Sequence, residues 1–462
     1  MNVSPLPVVV IGAGPVGLAA AVHLQARGIE PLVLEAGPSV GSGILAWSHV
    51  RMFSPWVYNI DAAARALLSR GSWVAPAGDE LPTGRDVVER YLRPLASTPE
   101  LAPYIRTGAR VTAIARVAHD RQRTADRERA AFVVRFTADG EEHDVIARAV
   151  IDASGTIETP NPLGASGIPA RGEALLRHRI YYGIPDVLGA SRSRYAGRRT
   201  LVVGSGHSAF NVLLDLDRLA GEAPDTRIVW ALRRARIGAL GGGAADQLEE
   251  RGRLGFRLQA LVDSGRLEIA SGFFLDALRQ TAPGVVAYSG DRELPPVDEI
   301  VAVTGFRPGL SILGELRIDL DPATESPRGL APLIDPNVHS CGTVPPHGVD
   351  ELAQPEANFF VAGMKSYGRA PTFLLLTGYE QVRSIAAAIA GDWDAARRVE
   401  LVLPETGVCK TSPDETGAGC CGGPAPAGVD ACCVKDADAK SAGADGCGCG
   451  APVTNGKSAG RG

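Results

Sequence analysis

Two α/β units, each a strand, a glycine-rich turn, a helix and a second strand, followed by a cysteine-rich tail, are the architecture this sequence predicts. Three observations carry it. A short apolar, β-branched run leads at once into a glycine-rich turn near residue 8, and the same arrangement returns near residue 200. Each copy reaches a second apolar run at the distance of one intervening helix. Seven of the eight cysteines lie beyond position 400, in a segment from Cys409 onward without Leu, Ile, Met or an aromatic residue.

The first copy opens with Pro7-Val8-Val9-Val10-Ile11, a fully apolar run of the kind that forms a buried parallel strand. Gly12-Ala13-Gly14-Pro15-Val16-Gly17 follows, then Leu18 to Arg27 with Ala19, Ala20 and Ala21 suited to close helix–sheet packing. Gly28 closes that helix, and Pro31-Leu32-Val33-Leu34-Glu35 forms the next strand. This is the Rossmann-like unit of an adenine-dinucleotide site. Gly12 permits the tight turn, Gly14 lets the backbone approach a pyrophosphate, and Gly17 lets the helix lie against the strand. An acid about 20 residues on, here Glu35, accepts the hydroxyls of the adenosine ribose.

The second copy has Thr200-Leu201-Val202-Val203 as strand, Gly204-Ser205-Gly206-His207-Ser208-Ala209 as turn and Phe210 to Ala220 as helix. Gly204, Gly206, His207 and Ser208 are its candidate nucleotide contacts. Its following strand, Ile228-Val229-Trp230-Ala231-Leu232, ends in Arg233-Arg234 where the first copy ends in an acid. Guanidinium forks match a 2′-phosphate that a carboxylate would repel, so this site is expected to take NADPH. Two further segments repeat a strand running into a small-residue turn. They are Val150-Ile151-Asp152-Ala153-Ser154-Gly155 and Ile300-Val301-Ala302-Val303-Thr304-Gly305. Asn358 to Met364 reads as a strand ending at Gly363, with a helix from Leu376 to Ala390 behind it, and His119 to Ala130 is polar enough for a hairpin tip.

At 462 residues the chain is too long for one core. Its net charge of −5 and scattered basic residues give no nucleic-acid footprint. The most apolar stretch, Val8 to Leu24, is interrupted by Gly12, Gly14, Pro15 and Gly17, whereas a span needs about 20 apolar residues in a row. Met1 to Pro7 has no charged side chain for a secretory n-region. A cytoplasmic protein without a membrane span is expected, and a homodimer is left open.

Taken together these segments resemble the flavoproteins with two dinucleotide-binding domains, the superfamily of flavin-containing monooxygenases, Baeyer–Villiger enzymes and thioredoxin reductases. The resemblance covers about residues 7–400. Asp152-Ala153-Ser154-Gly155 is similar to the family's Ala-Thr-Gly segment with Ser for Thr, and Thr304-Gly305-Phe306-Arg307-Pro308 to its second copy. Gly363 resembles the glycine where the backbone passes the flavin. The resemblance implies FAD at the first site, with Gly155, Gly305 and Gly363 lining it, and a split FAD domain at 1–170 and 296–404. The NADPH domain then occupies 171–295, and 405–462 is the tail. Thioredoxin-reductase-like members carry a redox cysteine pair beside the flavin, whereas the body here has only Cys341. The monooxygenase signature before the second glycine turn is present only in fragments, at Leu176 to Gly183.

Arg51, Lys365 and Arg369 are the candidate catalytic cations, each in a loop after a motif of the FAD domain. A cation there would stabilise negative charge on the reduced cofactor. His347 is a candidate general acid or a structural loop histidine. The run Trp47 to Trp56, the segment Gly363 to Phe373 and the tail together look like flavoproteins encoded with bacterial arsenic-resistance genes.

The tail cannot bury enough apolar surface to offset its ordering entropy, and disorder is expected. Its Cys420-Cys421 and Cys432-Cys433 are adjacent pairs, with Cys447 and Cys449 one residue apart. Adjacent cysteines close strained disulfides but chelate soft centres well. Trivalent arsenic takes three thiolates, and no spaced zinc frame or histidine occurs in the tail. These six thiols are the candidate metal ligands; thiols without a ligand are the plain alternative. The leading expectation is an NADPH-dependent FAD monooxygenase using molecular oxygen on a small-molecule or metalloid substrate such as a trivalent arsenical. An NADPH-linked reductase working through the tail, and a metalloid-binding chaperone or sensor, are its rivals.

Overall fold

The computed structural model describes residues 6–235, 249–336, 344–370 and 373–401. Cys341 and the whole cysteine tail, with its expected disorder and its expected metal ligands, lie outside the described residues. From the N-terminus the strands of the first unit are β1 (Val8–Ile11), β2 (Pro31–Leu34) and β3 (Ile105–Arg106). An antiparallel trio follows, β4 (Arg110–Arg116), β5 (Phe132–Ala138) and β6 (Glu141–Ala147), and then β7 (Ala149–Asp152). The second unit contains β8 (Ile180–Tyr182), β9 (Arg199–Val203), β10 (Arg227–Ala231) and β11 (Glu268–Ala270). Further along the chain come β12 (Ala277–Thr281), β13 (Gly284–Ser289), β14 (Arg292–Glu293), then β15 (Glu299–Ala302), which returns to the second unit, and finally β16 (Phe359–Val361). The four long helices are α1 (Pro15–Gln25), α2 (His207–Glu222), α3 (Glu249–Asp263) and α4 (Leu375–Ile389).

The first sheet is parallel in the order β16-β7-β1-β2-β3, and the second in the order β11-β10-β9-β15-β8. Successive side chains of a strand point to opposite faces, and β1 divides accordingly. Val8 and Val10 join the core beneath α1 and α4, while Val9 and Ile11 join the core shared with the β4–β5–β6 sheet. A strand buried on both faces has to be apolar throughout, as the sequence of β1 is. The second sheet divides the same way. Val202, Trp230 and Val301 pack on α2 and α3, whereas Leu201, Val229 and Ile300 face the core that reaches β12 and β13.

One domain boundary needs correction. A split at 295/296 assigns β15 to the flavin-side half, yet β15 pairs with β9 and β8 inside the second sheet. An apolar strand entering a small-residue turn has the same sequence pattern in either sheet, so pairing alone decides. The crossing between units is made by residues 159–163 and 304–307, which bond to each other. Thr304 Oγ1 donates to Asn161 O at 2.8 Å, Arg307 Nε to Asn161 Oδ1 at 2.8 Å, and Asn161 N to Gly305 O at 2.9 Å. The polar stretch 119–130 does lie between β4 and β5, and its Arg127 is buried in an ion pair with Glu356. No described helix is long and apolar enough to cross a membrane.

Candidate cofactor site

Both glycine turns are built alike. Gly12 has φ +96°, a conformation L side chains rarely adopt, and a Cβ there would sit 2.8 Å from Ala153 O. Gly204 has φ +138°, and a Cβ there would run into Val303 O. The turn leaving β7 therefore walls the first glycine turn, and the turn leaving β15 walls the second. The buried Trp230 also holds the second turn, donating Nε1–H to Gly204 O at 2.7 Å. Gly17 is fixed by the same crowding, since a side chain there would strike Gly12 O.

Behind each turn a helix begins at a glycine N-cap, Gly14 for α1 and Gly206 for α2. Neither end has a capping side chain or an acid in its first turn, and a Cβ at either glycine would meet nothing within 4 Å. Uncapped N–H groups, the positive end of the helix dipole and open space above the backbone fit a diphosphate. The two sites differ at the acid position. Glu35 is nearly buried and accepts N–H from Ala13 at 2.7 Å and Gly37 at 2.8 Å, which fixes its carboxylate beside the first turn. Arg233 and Arg234, at the end of β10, are exposed, and Arg234 O accepts the N–H of Gly272 at 2.6 Å. The first turn thus has a carboxylate beside it, and the corresponding strand end of the second unit has two exposed guanidinium groups.

His207 begins α2, with Ser208 next to it, so both stand at the uncapped N-terminal end of the helix. The His207 ring lies between Phe210 of its own helix and Phe53 of the other unit, with centroids 5.6 and 5.4 Å away. Gly155 and Gly305 both take left-handed backbone in the turns that wall the two glycine loops, at φ +72° and +87°. Gly363 follows β16, and its N–H is held by Gln381 Oε1 of α4 at 2.7 Å. Its missing Cβ leaves room for Val16, at 3.3 Å.

The three candidate catalytic cations occupy different settings. Lys365 is buried and donates to Asp152 Oδ2 at 2.6 Å and Ser154 Oγ at 3.0 Å. Arg369 makes a two-pronged pair with Glu325, at 2.8 and 3.0 Å, which holds its guanidinium more firmly protonated. Arg51 is exposed and donates to Leu81 O at 2.8 Å. No hydrogen bond or ion pair described here joins Arg51 to either of the others.

His347 is enclosed. Its Nδ1–H donates to Pro345 O at 3.0 Å and its Nε2 accepts from Gln381 Nε2 at 2.8 Å, while burial pushes its pKa below 6.5. A neutral ring with both nitrogens engaged supports the turn after β16 and has no proton to lend. Gln381 also donates to Ser366 Oγ at 2.9 Å, so one amide organises Gly363, Ser366 and His347. Sequence reasoning missed Gln381, Phe53 and the pairing of Asp152 with Lys365. Their one advance signal was position, each lying in or beside a segment already singled out.

The family profile described as pyridine nucleotide-disulphide oxidoreductase matches residues 9–328. An indole-3-pyruvate monooxygenase of Oryza sativa subsp. japonica, YUCCA1, is 31% identical over 212 residues, 46% of this chain and 45% of that protein. The chain thus spans under half the length of that relative. A ferredoxin–NADP reductase of Saccharopolyspora erythraea is 27% identical over 329 residues, 70% of this chain and 80% of that one. Among solved structures, the bacillithiol disulfide reductase of Bacillus cereus superposes with a TM-score of 0.61 at 21% identity, covering 84% of this chain and 99% of its own. A cadaverine monooxygenase of Erwinia amylovora, bound to FAD, gives 0.59 at 14% identity, covering 87% and 99%. Both structures share the fold.

Proposed function

Since this chain belongs to the pyridine nucleotide-disulphide oxidoreductase family and is a redox enzyme that uses FAD and NADPH, we propose that it is a monooxygenase-type enzyme acting on a soft, thiophilic substrate, of which a trivalent arsenical is the leading example. Overall, NADPH, a proton, O2 and substrate give NADP+, water and substrate carrying one oxygen atom. Bound FAD supplies the transfer of electrons from NADPH to O2.

The residues divide the work. Uncapped α1 and Glu35 hold the flavin nucleotide; uncapped α2, His207, Ser208, Arg233 and Arg234 hold NADPH. Gly155, Gly305 and Gly363 keep the backbone low where the cofactors pass. Of the three candidate flavin-side cations, Arg51 is exposed, Arg369 is forked onto Glu325 and Lys365 is enclosed with Asp152. An arsenic(III) centre brings its own lone pair and therefore needs no strong protein base. The six thiols of the tail, Cys420, Cys421, Cys432, Cys433, Cys447 and Cys449, would capture or deliver the metalloid.

The observation that carries this reading is that none of the described residues is a cysteine, so none of the described elements around the two glycine turns offers a dithiol for disulfide exchange. The partial likeness to an indole-3-pyruvate monooxygenase favours oxygen transfer. The longer likeness to a ferredoxin–NADP reductase favours the second reading, an NADPH-dependent reductase that passes electrons outward through the tail. A metalloid-binding chaperone or sensor is the third, and it requires stoichiometric binding without turnover.

The test is NADPH consumption by FAD-loaded protein in air, with and without inorganic and methylated trivalent arsenicals, while the arsenic oxidation state is followed. Stimulated consumption with matching pentavalent product supports the monooxygenase. Consumption indifferent to arsenic, or persisting without O2 when another acceptor is supplied, sinks it in favour of the reductase. A chain ending at Thr406 separates the roles of the tail. Turnover with raised KM marks delivery, and lost turnover marks an electron relay.

A further inference from the structure

Lys365 is the one candidate cation that the fold withdraws from solvent. Its side chain is 1% exposed and that of Asp152 0%. The carboxylate of Asp152 is engaged on both oxygens. Oδ2 takes Lys365 Nζ at 2.6 Å, while Oδ1 takes the N–H of Ser154 at 3.2 Å and its hydroxyl at 2.7 Å. Lys365 returns a second bond to the same hydroxyl, at 3.0 Å. Asp152 ends β7 and stands in register with Val361, the last residue of β16, so the pair clasps the turns that leave two adjacent parallel strands.

Those two turns are the ones that meet the first helix and its glycine loop. The turn after β7 carries Ala153, whose carbonyl lies against Gly12. The turn after β16 carries Gly363, set against Val16 of α1 and tied to Gln381. The clasp therefore lies at the carboxyl ends of β7, β1 and β16, the edge of an open parallel sheet where ligands lie. A buried ion pair is a weak source of stability, because desolvation offsets its attraction and an apolar pair can replace it. Its position at the ligand edge gives it another use.

We propose that Lys365 is a positioning residue for the flavin nucleotide. Through Asp152 and Ser154 it sets the spacing between the turn after β7 and the turn after β16, and so the width of the crevice that receives FAD. This rests on the assignment of the first unit to FAD and goes further by naming the residue that gauges the site.

Lys365→Met alone strands a buried carboxylate and is expected to melt low, so the informative variant removes both charges, Asp152→Asn with Lys365→Met. The double variant is expected to melt as the wild type does but to bind FAD about tenfold more weakly or worse, roughly 1.4 kcal/mol. Its bound flavin should show an altered visible band and fluorescence, with KM for NADPH unchanged. A double variant that melts normally and binds FAD with wild-type affinity and spectrum overturns the proposal. So does one in which FAD binding falls only in step with melting. Failure of the wild-type chain to take up FAD at all would instead overturn the cofactor assignment itself.

Discussion

Phe53 meets His207 edge-on, with ring centroids 5.4 Å apart and planes at 62°. One residue belongs to a loop of the first unit and the other opens α2, the helix proposed above to hold NADPH. Such pairs contribute about 0.5–1.5 kcal/mol beyond their burial. Phe53→Ala should therefore raise KM for NADPH about two- to tenfold while the FAD content per chain stays the same. Steady-state kinetics beside flavin absorbance checks it, and a fall in FAD content would point to a folding defect.

Arg233 and Arg234 should decide between the two nicotinamide nucleotides. Hydrogen bonds to a charged group contribute about 1.5–3 kcal/mol, so Arg233→Ala with Arg234→Ala should raise KM for NADPH tenfold or more. KM for NADH, which has no 2′-phosphate, should hardly move. The ratio of kcat/KM for the two nucleotides is the measurement, and an equal loss for both would rule out phosphate recognition.

Gly12→Ala should produce a folded chain depleted of flavin. The residue must hold φ +96°, which costs a non-glycine residue about 1–3 kcal/mol, and its methyl would press on Ala153 O. Flavin absorbance per chain should drop sharply, with circular dichroism near that of the wild type. Full occupancy would remove Gly12 from the site.

Burial of neutral His347 predicts a pH dependence of stability. Its folded pKa lies below 6.5, so beneath that pH the unfolded chain binds a proton that the folded chain resists. The stabilisation is complete above pH 6.5 and is lost as pH falls through the folded value, by about 1.4 kcal/mol per pH unit between the two values. Melting temperature against pH, for the wild type and His347→Asn, should run parallel above pH 6.5 and draw together as pH falls below it. Curves that stay parallel below pH 6.5 as well would show that His347 does not titrate on unfolding.

The local grammar of the dinucleotide units was legible because each element answers to its own residues. β1 is apolar on both faces because it is buried on both, and α1 starts where Gly14 and Pro15 leave the N–H groups free. What that grammar does not reach is any outcome that depends on which distant segment lies alongside. β15 carries the same pattern as β7 but pairs with β9. Lys365 read as a flavin-side cation in a loop; its burial follows from Asp152, a partner 213 residues away that no periodicity connects to it. Arg369 is similar, since nothing near it in sequence announces Glu325.

The crossing segments 159–163 and 304–307 carry one last consequence. Because the two links are bonded to each other, they act as a single pin and not as two independent tethers. A change at Asn161 would therefore loosen both links at once, because its side chain and its backbone each bond the 304–307 segment. The Phe53–His207 contact is a second place where side chains of the two units meet, separate in sequence from those links.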